Sequence, residues 1–263
     1  MKKAIALLTA LLLVLSCSAA FADMYEDVMK RGSLIIGTEG EWRPWTYHDE
    51  GGTKELIGFD VEVGKAICEK LGVTASFTEA NWDSLLAALK SGRIDTMING
   101  MDVTESRKEA YDFTIPYCYT RTALVVRGDN TDITTFTDLA GRTTANSISS
   151  TYMTLAESYG AFVESVDTLE ETITMVLHGR ADATLNAVDS IADYMMEHPE
   201  ADIKIVALTE EANEVAIPVP KNEPAMLEAM NKAIEELRAD GTLAALSVKY
   251  FGEDITAVPV NAE

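Results

Sequence analysis

The sequence predicts an α/β protein whose chain folds into two halves of similar build. Short apolar runs alternate with helical patterns along most of the chain, an order typical of parallel sheets covered by helices. The pattern Ser91-Gly-Arg-Ile-Asp95 also returns as His178-Gly-Arg-Ala-Asp182. In both copies a glycine follows a helix and an aspartate precedes a strand, which indicates one structural unit used twice.

The N-terminal segment is separate from this pattern. A basic start, Met1-Lys-Lys3, precedes an apolar run that is too short for a membrane span, and Ala20-Phe-Ala22 fills the small positions of a cleavage site. We therefore predict a signal peptide over residues 1–22 and an exported protein. Val14-Leu-Ser-Cys17 resembles a lipobox, so a lipid anchor at Cys17 is the alternative to cleavage after Ala22.

The first half has the order β-α-β-α-β. The predicted strands are 34–37, 75–77 and 94–98, and the predicted helices are 61–71 and 82–91. Thr104 is a favourable N-cap for a further short helix at 105–111.

The pattern then restarts. Strands are predicted at 123–126, 142–146, 181–185, 203–206 and 215–219, and helices at 151–159, 169–177, 223–239 and up to Tyr250. Ligands of open α/β sheets bind beyond the carboxyl ends of the strands, so the loops at these ends are the candidate site.

Composition excludes several functions. The chain has 43 acidic and 21 basic residues and a net charge of −22, which argues against nucleic acid or an anionic membrane surface as partner. Cys68 lies on the apolar side of its helix, which favours a buried free thiol over a disulfide, and no Cys/His cluster indicates a metal. Serine-hydrolase, zinc-protease, P-loop and dinucleotide motifs are absent from the sequence. We expect no catalytic residue, no metal and no cofactor.

The stretch from Asn99 to Arg107 turns from a strand end into a helix start. It supplies a glycine at Gly100, a carboxylate at Asp102 and a guanidinium at Arg107. A small zwitterion needs such a pair, a planar fork for its carboxylate and an acceptor for its ammonium. The competing interpretation is a surface helix start with solvated charges.

Two other turns carry candidate ligand contacts. The turn after the first strand contains Glu39, Trp42 and Trp45, and Trp82 opens a helix after another strand. Three tryptophans on one rim suggest a stacking platform, although packing is the common role of a tryptophan in such a turn. In the second half, the hydroxyls of Ser150 and Thr151 suit a carboxylate, with plain helix capping as the alternative.

The stretch from Gly58 to Leu71, GFDVEVGKAICEKL, resembles the signature of the family 3 periplasmic solute-binding proteins, the receptors of polar amino-acid ABC importers. The resemblance continues to Asp240-Gly-Thr-Leu243. It implies a type II periplasmic binding protein with lobe 1 at 24–120 plus 217–263 and lobe 2 at 121–216, joined by two hinge strands near Ala123 and Ala216. It also implies a monomer, periplasmic or at the cell surface, that closes on an amino acid and docks on a membrane permease.

The resemblance also implies roles for individual residues. Within the signature, Gly58 forms a turn, Phe59 packs in the core and Asp60 caps the helix. By position, Arg107 binds the ligand α-carboxylate and Asp102 helps to bind the α-ammonium. By the same resemblance, Glu39 and Trp42 contact the ligand side chain and Trp82 is a further lining position. Asn99 and Gly100 give side-chain and backbone contacts, and Ser150 and Thr151 belong to the loop that meets the carboxylate from the second lobe.

One position departs from the family pattern. Where the family places an ammonium-binding aspartate, this chain has Ala187. Either Asp102 takes over the ammonium, Asp189 reaches in, or the ligand is not an ordinary α-amino acid; we favour Asp102. The acids Glu39 and Asp102 favour a cationic or large polar amino acid, with cystine, glutamine and aromatic ligands open. An exported cyclohexadienyl-type dehydratase, with Glu39 or Asp102 as general acid, and a sensory module are the alternative functions.

Overall fold

The structure is a computed structural model that describes residues 23–49, 51 and 53–258. The predicted signal peptide, its cleavage site and Cys17 lie outside the described residues. Across the described part of the chain, every helix is too short or too polar to span a bilayer.

The secondary structure follows the chain in this order. The elements are α1 (Met24–Arg31), β1 (Ser33–Thr38), β2 (Glu41–Trp42), β3 (Thr46–His48), β4 (Leu56–Ile57), α2 (Phe59–Leu71), β5 (Thr74–Glu79), α3 (Trp82–Lys90), β6 (Thr96–Met97), α4 (Glu105–Ala110), β7 (Tyr111–Phe113), β8 (Cys118–Thr120), β9 (Thr122–Arg127), a 3₁₀ turn (Phe136–Leu139), β10 (Thr143–Asn146), α5 (Thr151–Ser158), β11 (Phe162–Ser165), α6 (Leu169–Leu177), β12 (Ala183–Ala187), α7 (Val188–Glu197), β13 (Ile203–Leu208), β14 (Asn213–Val215), β15 (Pro218–Pro220), α8 (Pro224–Ala239) and α9 (Thr242–Phe251).

The first lobe is built on a parallel sheet in the order β5-β1-β6. This confirms the predicted β-α-β-α-β series. The third strand, predicted at 94–98, is assigned only at Thr96–Met97. Residues beside it still bond to β1: Asp95 N donates to Ile35 O at 2.9 Å, Ile98 N donates to Gly37 O at 3.1 Å, and Asp95 Oδ2 accepts from Ile35 N at 2.7 Å. Leu34 and Ile36 of β1 point into the main core on one face, and Ile35 packs against a second cluster on the other.

The second lobe has five strands in the order β11-β10-β12-β9-β13. Strand β9 runs antiparallel to both neighbours, whereas β10, β11 and β12 are parallel. Residues of β9 alternate between two buried clusters, Leu124 and Val126 in one and Ala123 and Val125 in the other. Both faces of this sheet are therefore covered, as the apolar run predicted.

The duplicated pattern has the same geometry in both lobes. Gly92 and Gly179 end their helices with φ of 69° and 67°. The following aspartates each accept a hydrogen bond from the first or third residue of the adjacent strand, Asp95 from Ile35 N at 2.7 Å and Asp182 from Thr143 N at 2.8 Å. The prediction of one unit used twice is confirmed at the level of individual bonds.

The chain passes between the lobes at two neighbouring places. Strands β8 and β14 pair antiparallel there, with Cys118 opposite Val215 and Thr120 opposite Asn213. These paired strands end three residues before Ala123 and one residue before Ala216, the positions near which the hinge is expected. The lobe boundaries at 120/121 and 216/217 remain a prediction.

The single strand expected at 215–219 is wrong. The segment is divided between β14, which pairs with β8, and β15, which pairs with β7. Between them, Ala216 N donates to Met101 O at 3.1 Å and Ile217 N donates to the hydroxyl of Thr114 at 3.0 Å. The backbone changes partners at these residues, so the apolar run does not form one ladder.

Candidate functional site

A cavity of about 540 Å³ lies between the lobes. The structure brings all nine sequence-predicted site residues into its lining, together with residues from the strand ends of both sheets. The nine are Glu39, Trp42, Trp82, Asn99, Gly100, Asp102, Arg107, Ser150 and Thr151. This volume is within the range of small-molecule sites.

Arg107 is held at the start of α4. Thr104 caps this helix by accepting from Arg107 N at 3.2 Å, as predicted. The guanidinium donates to two backbone carbonyls, Asp102 O at 2.9 Å and Ser149 O at 3.3 Å, and lies 5.1 Å from the ring centre of Trp82. Burial lowers the pKa of Arg107, against the opposing effect of the Asp102 charge. Among the described residues it has no carboxylate within salt-bridge distance, so its fork is available to an anion.

Asp102 is a buried carboxylate beside the crossing strands. Its Oδ2 accepts from Thr151 Oγ1 at 2.5 Å, which joins the two lobes, and from Asn213 Nδ2 at 3.3 Å. Its backbone forms an isolated bridge with Val215 of β14. Burial raises the pKa of Asp102, and the hydrogen bond from Thr151 and the charge of Arg107 oppose the shift.

Glu39 and Asn99 form a reciprocal pair at the ends of β1 and β6. Asn99 Nδ2 donates to Glu39 Oε2 at 2.6 Å, and Glu39 N donates to Asn99 Oδ1 at 2.7 Å. Burial raises the pKa of Glu39 to about 7, although the bond from Asn99 lowers it. A carboxyl in this state gains from a cationic partner.

The tryptophans divide between the cavity and the core. Trp42 and Trp82 line the cavity, whereas Trp45 is fully buried against Phe59 and Phe251. The expected platform of three tryptophans is therefore wrong for Trp45, which supports Trp42 from behind in a parallel stack with centroids 5.2 Å apart. The Trp42 indole also donates to Asn186 Oδ1 on the second lobe at 3.2 Å.

Gly100 is positioned by a residue whose expected role was different. Asp60 does not cap α2, whose N-cap is Gly58. Instead its buried carboxylate accepts from Gly100 N at 2.6 Å and from the hydroxyl of Tyr117 at 2.8 Å. Burial raises the pKa of Asp60 to about 7. Gly100 has φ of 56°, and a Cβ there would lie 2.5 Å from the Trp42 ring, so the close packing requires glycine.

The hydroxyl loop of the second lobe has two functions. Ser150 is the N-cap of α5, accepting from Met153 N at 3.0 Å, which is the capping interpretation of this segment. Thr151 faces the other lobe and donates to Asp102. The two hydroxyls therefore already have protein partners.

The departure at Ala187 has a structural consequence. Ala187 is buried and lies outside the lining, and Asp189 accepts from Thr120 Oγ1 at 2.5 Å without reaching the cavity. The suggestion that Asp189 reaches into the site is therefore wrong. Asn186, which precedes Ala187 in the chain, lines the cavity instead.

Sequence reasoning missed several lining residues of the second lobe. They are Asn146, Ser147, Tyr152, Asp167, Thr168, Leu169, Glu171, Thr172 and Asn186. Asn146 and Asn186 occupy the ends of β10 and β12, so the strand-end rule applied to the second sheet was the signal that would have found them.

The cavity lining is strongly acidic. Its carboxylates are those of Glu39, Glu41, Glu79, Asp102, Asp167 and Glu171. Arg107 is its one arginine or lysine among the described residues, and His48 is paired with Glu79 at 2.6 Å. The site therefore combines one fixed cation with a surrounding negative potential.

The family model of the bacterial extracellular solute-binding proteins, family 3, matches residues 34–253. The chain belongs to this family. It is 36% identical over 239 residues to the L-cystine-binding protein TcyA of Bacillus subtilis, covering 91% of this chain and 88% of the relative. Both the predicted family and the predicted two-lobed fold are confirmed.

Two solved structures of similar proteins, one with ligand and one without, allow a comparison of how the lobes are arranged. An ancestral arginine-binding protein bound to glutamine matches with a TM-score of 0.80 at 36% identity, covering 85% of this chain and 99% of that one. The L-cystine solute receptor of Neisseria gonorrhoeae, in its unliganded open conformation, matches with a TM-score of only 0.59 at 37% identity, covering 89% and 99%. At nearly the same identity, 36% and 37%, the bound relative superposes better, which agrees with the hydrogen bonds that cross this cleft.

Proposed function

We propose that this protein captures an amino acid in its cleft and delivers it to the membrane permease of an ABC importer. The observation that carries the proposal is Arg107, a partly buried guanidinium that lines the cavity without a carboxylate partner among the described residues. A ligand α-carboxylate satisfies this fork with two parallel hydrogen bonds. The relatives support the class, because TcyA is named for binding L-cystine and the ancestral protein for binding arginine.

The α-ammonium of the ligand is assigned to Asp102. Both of its protein hydrogen bonds fall on Oδ2, which leaves Oδ1 without a partner among the described residues. An ammonium buried without an anion costs several kcal/mol, so an acid is needed near the Arg107 fork. Asp102 O is itself a partner of Arg107, which places the two charges side by side as a zwitterion requires.

The ligand side chain is proposed to be cationic. Glu39, hydrogen-bonded by Asn99, regains its charge when a cation approaches, and besides Asp102 four further carboxylates line the same cavity. L-cystine carries a second carboxylate as well as a second ammonium, so it has no net charge, and the described lining offers no second arginine or lysine for that carboxylate. Arginine, lysine or ornithine therefore fits the charge balance better than cystine.

The proposed mechanism is closure of two lobes on one ligand. Lobe 1 (24–120 and 217–263) supplies Arg107, Asp102 and Glu39, and lobe 2 (121–216) supplies the loop that ends at Thr151. Closure removes water and strengthens the charge pairs, and the closed monomer then docks on the permease. Export is assigned to residues 1–22 with cleavage after Ala22, and a lipid anchor at Cys17 is the alternative.

The experiment is a thermal-shift and calorimetric screen of the mature protein against the proteinogenic amino acids, ornithine and cystine. Ligand at 100 times Kd stabilises by about 2.7 kcal/mol, which moves the midpoint measurably. Arg107→Ala should weaken binding by about 100-fold or more, since it removes the bidentate charged partner proposed for the ligand carboxylate. The matched control is Arg180→Ala, an exposed arginine outside the cavity. Failure of every amino acid to bind would sink the proposal.

A dehydratase function is the second candidate, because a carboxyl with a pKa near 7 in a cleft suits a general acid. Incubation with prephenate and arogenate tests it directly. We expect no turnover, since Glu39 is already held by Asn99; turnover that Glu39→Gln abolishes would replace the transport proposal.

A further inference from the structure

Two polar atoms in the cavity lining are buried without a hydrogen-bond partner. Among the described residues, the fully buried side-chain atoms without one are Trp45 Nε1, Trp82 Nε1, Thr144 Oγ1, Asn146 Oδ1, Ser190 Oγ and Arg238 Nε. Only Trp82 and Asn146 of this group line the cavity. Buried polar atoms normally have partners, so an orphan facing a ligand cavity indicates a ligand contact.

Asn146 is the acceptor of the two. It is the last residue of β10 and its side chain is 1% exposed. Its Nδ2 donates to Leu185 O at 2.8 Å, which fixes the orientation of the amide and leaves Oδ1 as the open atom. The amide thus presents a fixed oxygen at the carboxyl end of a strand, where ligands of such sheets bind.

The other polar side chains nearby on the second lobe are already engaged. Asn186 Oδ1 accepts from Trp42 Nε1 and from Ala187 N. Ser150 caps α5, and Thr151 donates to Asp102. Asn146 Oδ1 therefore remains as a rigid acceptor without a partner on this side of the described cavity.

Asn146 lies near the groups that are proposed to bind the α-carboxylate and the α-ammonium of the ligand. The loop that follows Asn146 contains Ser149, whose carbonyl accepts from Arg107, and ends at Thr151, which contacts Asp102. Strand β10 also lies beside β12, the strand that ends at Ala187, where an acid is missing. Asn146 thus approaches the same place from the neighbouring strand.

We propose that Asn146 Oδ1 accepts a hydrogen bond from the α-ammonium of the ligand, with Asp102 supplying the negative charge from the opposite lobe. This assignment rests on the proposed amino-acid function. The ammonium then bonds to both lobes, so it contributes to closure as well as to recognition. An amide oxygen needs an N–H donor and not merely a positive charge, so a ligand without α-amino protons should bind poorly even when its charge is kept.

The experiment compares Asn146→Leu with a matched control on the same strand, Thr144→Val. Thr144 Oγ1 is also buried without a partner but does not line the cavity. The probes are L-arginine, L-lysine, L-ornithine, L-glutamine and L-cystine, and each one that binds is paired with its analogue lacking the α-amino group. We expect Asn146→Leu to weaken binding of the amino acids at least 10-fold and to change binding of the desamino analogues less than 2-fold, and Thr144→Val to leave both within 2-fold.

A measurement on the wild-type protein covers the case in which Asn146→Leu fails to fold, since it also loses the bond to Leu185. The ¹³Cγ resonance of Asn146 should shift when the amino acid binds and stay in place when its desamino analogue binds. Equal losses for both ligands in Asn146→Leu, or equal ¹³Cγ shifts, would mean that Asn146 only shapes the cavity and would overturn this assignment while leaving amino-acid binding intact. Absence of binding by every probe would overturn both.

Discussion

The indole Nε1 of Trp42 on the first lobe donates a hydrogen bond of 3.2 Å to Asn186 Oδ1 on the second lobe. The same indole lines the ligand cavity, and its ring rests on Trp45. One side chain therefore serves as a wall of the site and as a bond that holds the lobes together. Contact with the ligand and closure of the cleft are joined in this residue.

Trp42→Phe keeps an aromatic ring against Trp45 and removes the N–H donor. We expect affinity for the bound amino acid to fall about 3- to 10-fold, the effect of one hydrogen bond of about 1 kcal/mol. The weaker binding should appear as faster dissociation. Stopped-flow tryptophan fluorescence or surface plasmon resonance measures it. When Trp42→Phe is combined with Asn186→Leu, the double variant should lose little more affinity than the weaker-binding single variant. Fully additive losses of binding free energy would show that the bond does not contribute to closure.

Another bond across the cleft lies outside the cavity lining. Arg43 Nε pairs with Asp193 Oδ2 at 3.1 Å and its Nη2 with Glu197 Oε1 at 3.7 Å, and the guanidinium lies 4.3 Å from the Tyr47 ring centre. Arg43→Ala should weaken ligand binding about 2- to 5-fold at low salt and less at high salt, because half-exposed pairs contribute under about 1 kcal/mol. Isothermal titration at two salt concentrations tests this. The control is Lys221→Ala, which breaks a pair with Asp112 inside lobe 1 and should leave Kd unchanged.

The pH dependence of binding should report Glu39. Because burial raises the pKa of this carboxyl to about 7, it is mostly protonated in the ligand-free protein at pH 6 and mostly charged at pH 8. Affinity for a cationic amino acid should therefore increase as pH rises from 6 to 8, and the complex should release a proton on forming at pH 6. Calorimetry in buffers of different ionisation enthalpy counts that proton. Glu39→Gln should abolish both effects, and an unchanged pH profile in this variant would contradict the assignment.

The raised pKa of Glu39 makes stability fall as pH rises, whereas it makes affinity increase. The folded protein holds the Glu39 proton more tightly than the unfolded chain, whose pKa is near 4.5. Its stabilising contribution is therefore complete below pH 4.5 and is lost as pH rises through about 7. The ligand-free wild type should lose more unfolding free energy between pH 5 and pH 8 than Glu39→Gln does, by on the order of 2 kcal/mol. Urea unfolding at the two pH values gives the difference.

Gly58 and Gly72 offer a comparison of two glycines with positive φ. At Gly58, with φ of 129°, a Cβ would lie 2.3 Å from the backbone oxygen of Trp45, whereas at Gly72, with φ of 75°, it would meet nothing within 4 Å. Gly72→Ala should cost about 1 to 2 kcal/mol of unfolding free energy through backbone strain alone. Gly58→Ala should cost roughly 3 kcal/mol or more, since the backbone must also move. Equal losses in chemical denaturation would show that the contact with Trp45 is relieved at no cost.

The sequence predicted the site residues best where their position depends on neighbouring residues in the chain. The candidate residues met in one cavity because they follow strand ends, and the carboxyl ends of parallel strands share an edge. Asp60 was misassigned because its partners Gly100 and Tyr117 are 40 and 57 positions away, and a helix-start aspartate has the same local pattern whether it caps or not. Trp45 was misassigned for the same reason, since Phe251 packs on it from the far end of the chain.

Elements without a strong pattern were also missed. The sheet of β2, β3 and β4 contains strands of two or three residues, which are too short for an alternation to be recognised. Helix α7 starts directly from Ala187 without a capping side chain, so the sequence carries no start signal there. Asn146 is the last residue of a predicted strand, but nothing in the sequence distinguishes an amide whose atoms all have hydrogen-bond partners from one with an atom left unpaired.

The bridge between Asp102 and Val215 has a consequence for how ligand preference can change. Residues 101–103 are bonded to β14 by Val103 N to Glu214 O and Ala216 N to Met101 O, so the acid proposed to read the ligand belongs to the same ladder as a strand that crosses between the lobes. Since the Asp102 side chain also accepts from Thr151 of the second lobe, we expect a substitution at position 102 to alter chemical selectivity and the resting balance between open and closed forms in one step. Variants with a new preference at this position should have altered closure in the absence of any ligand, and further substitutions would be needed to separate the two properties.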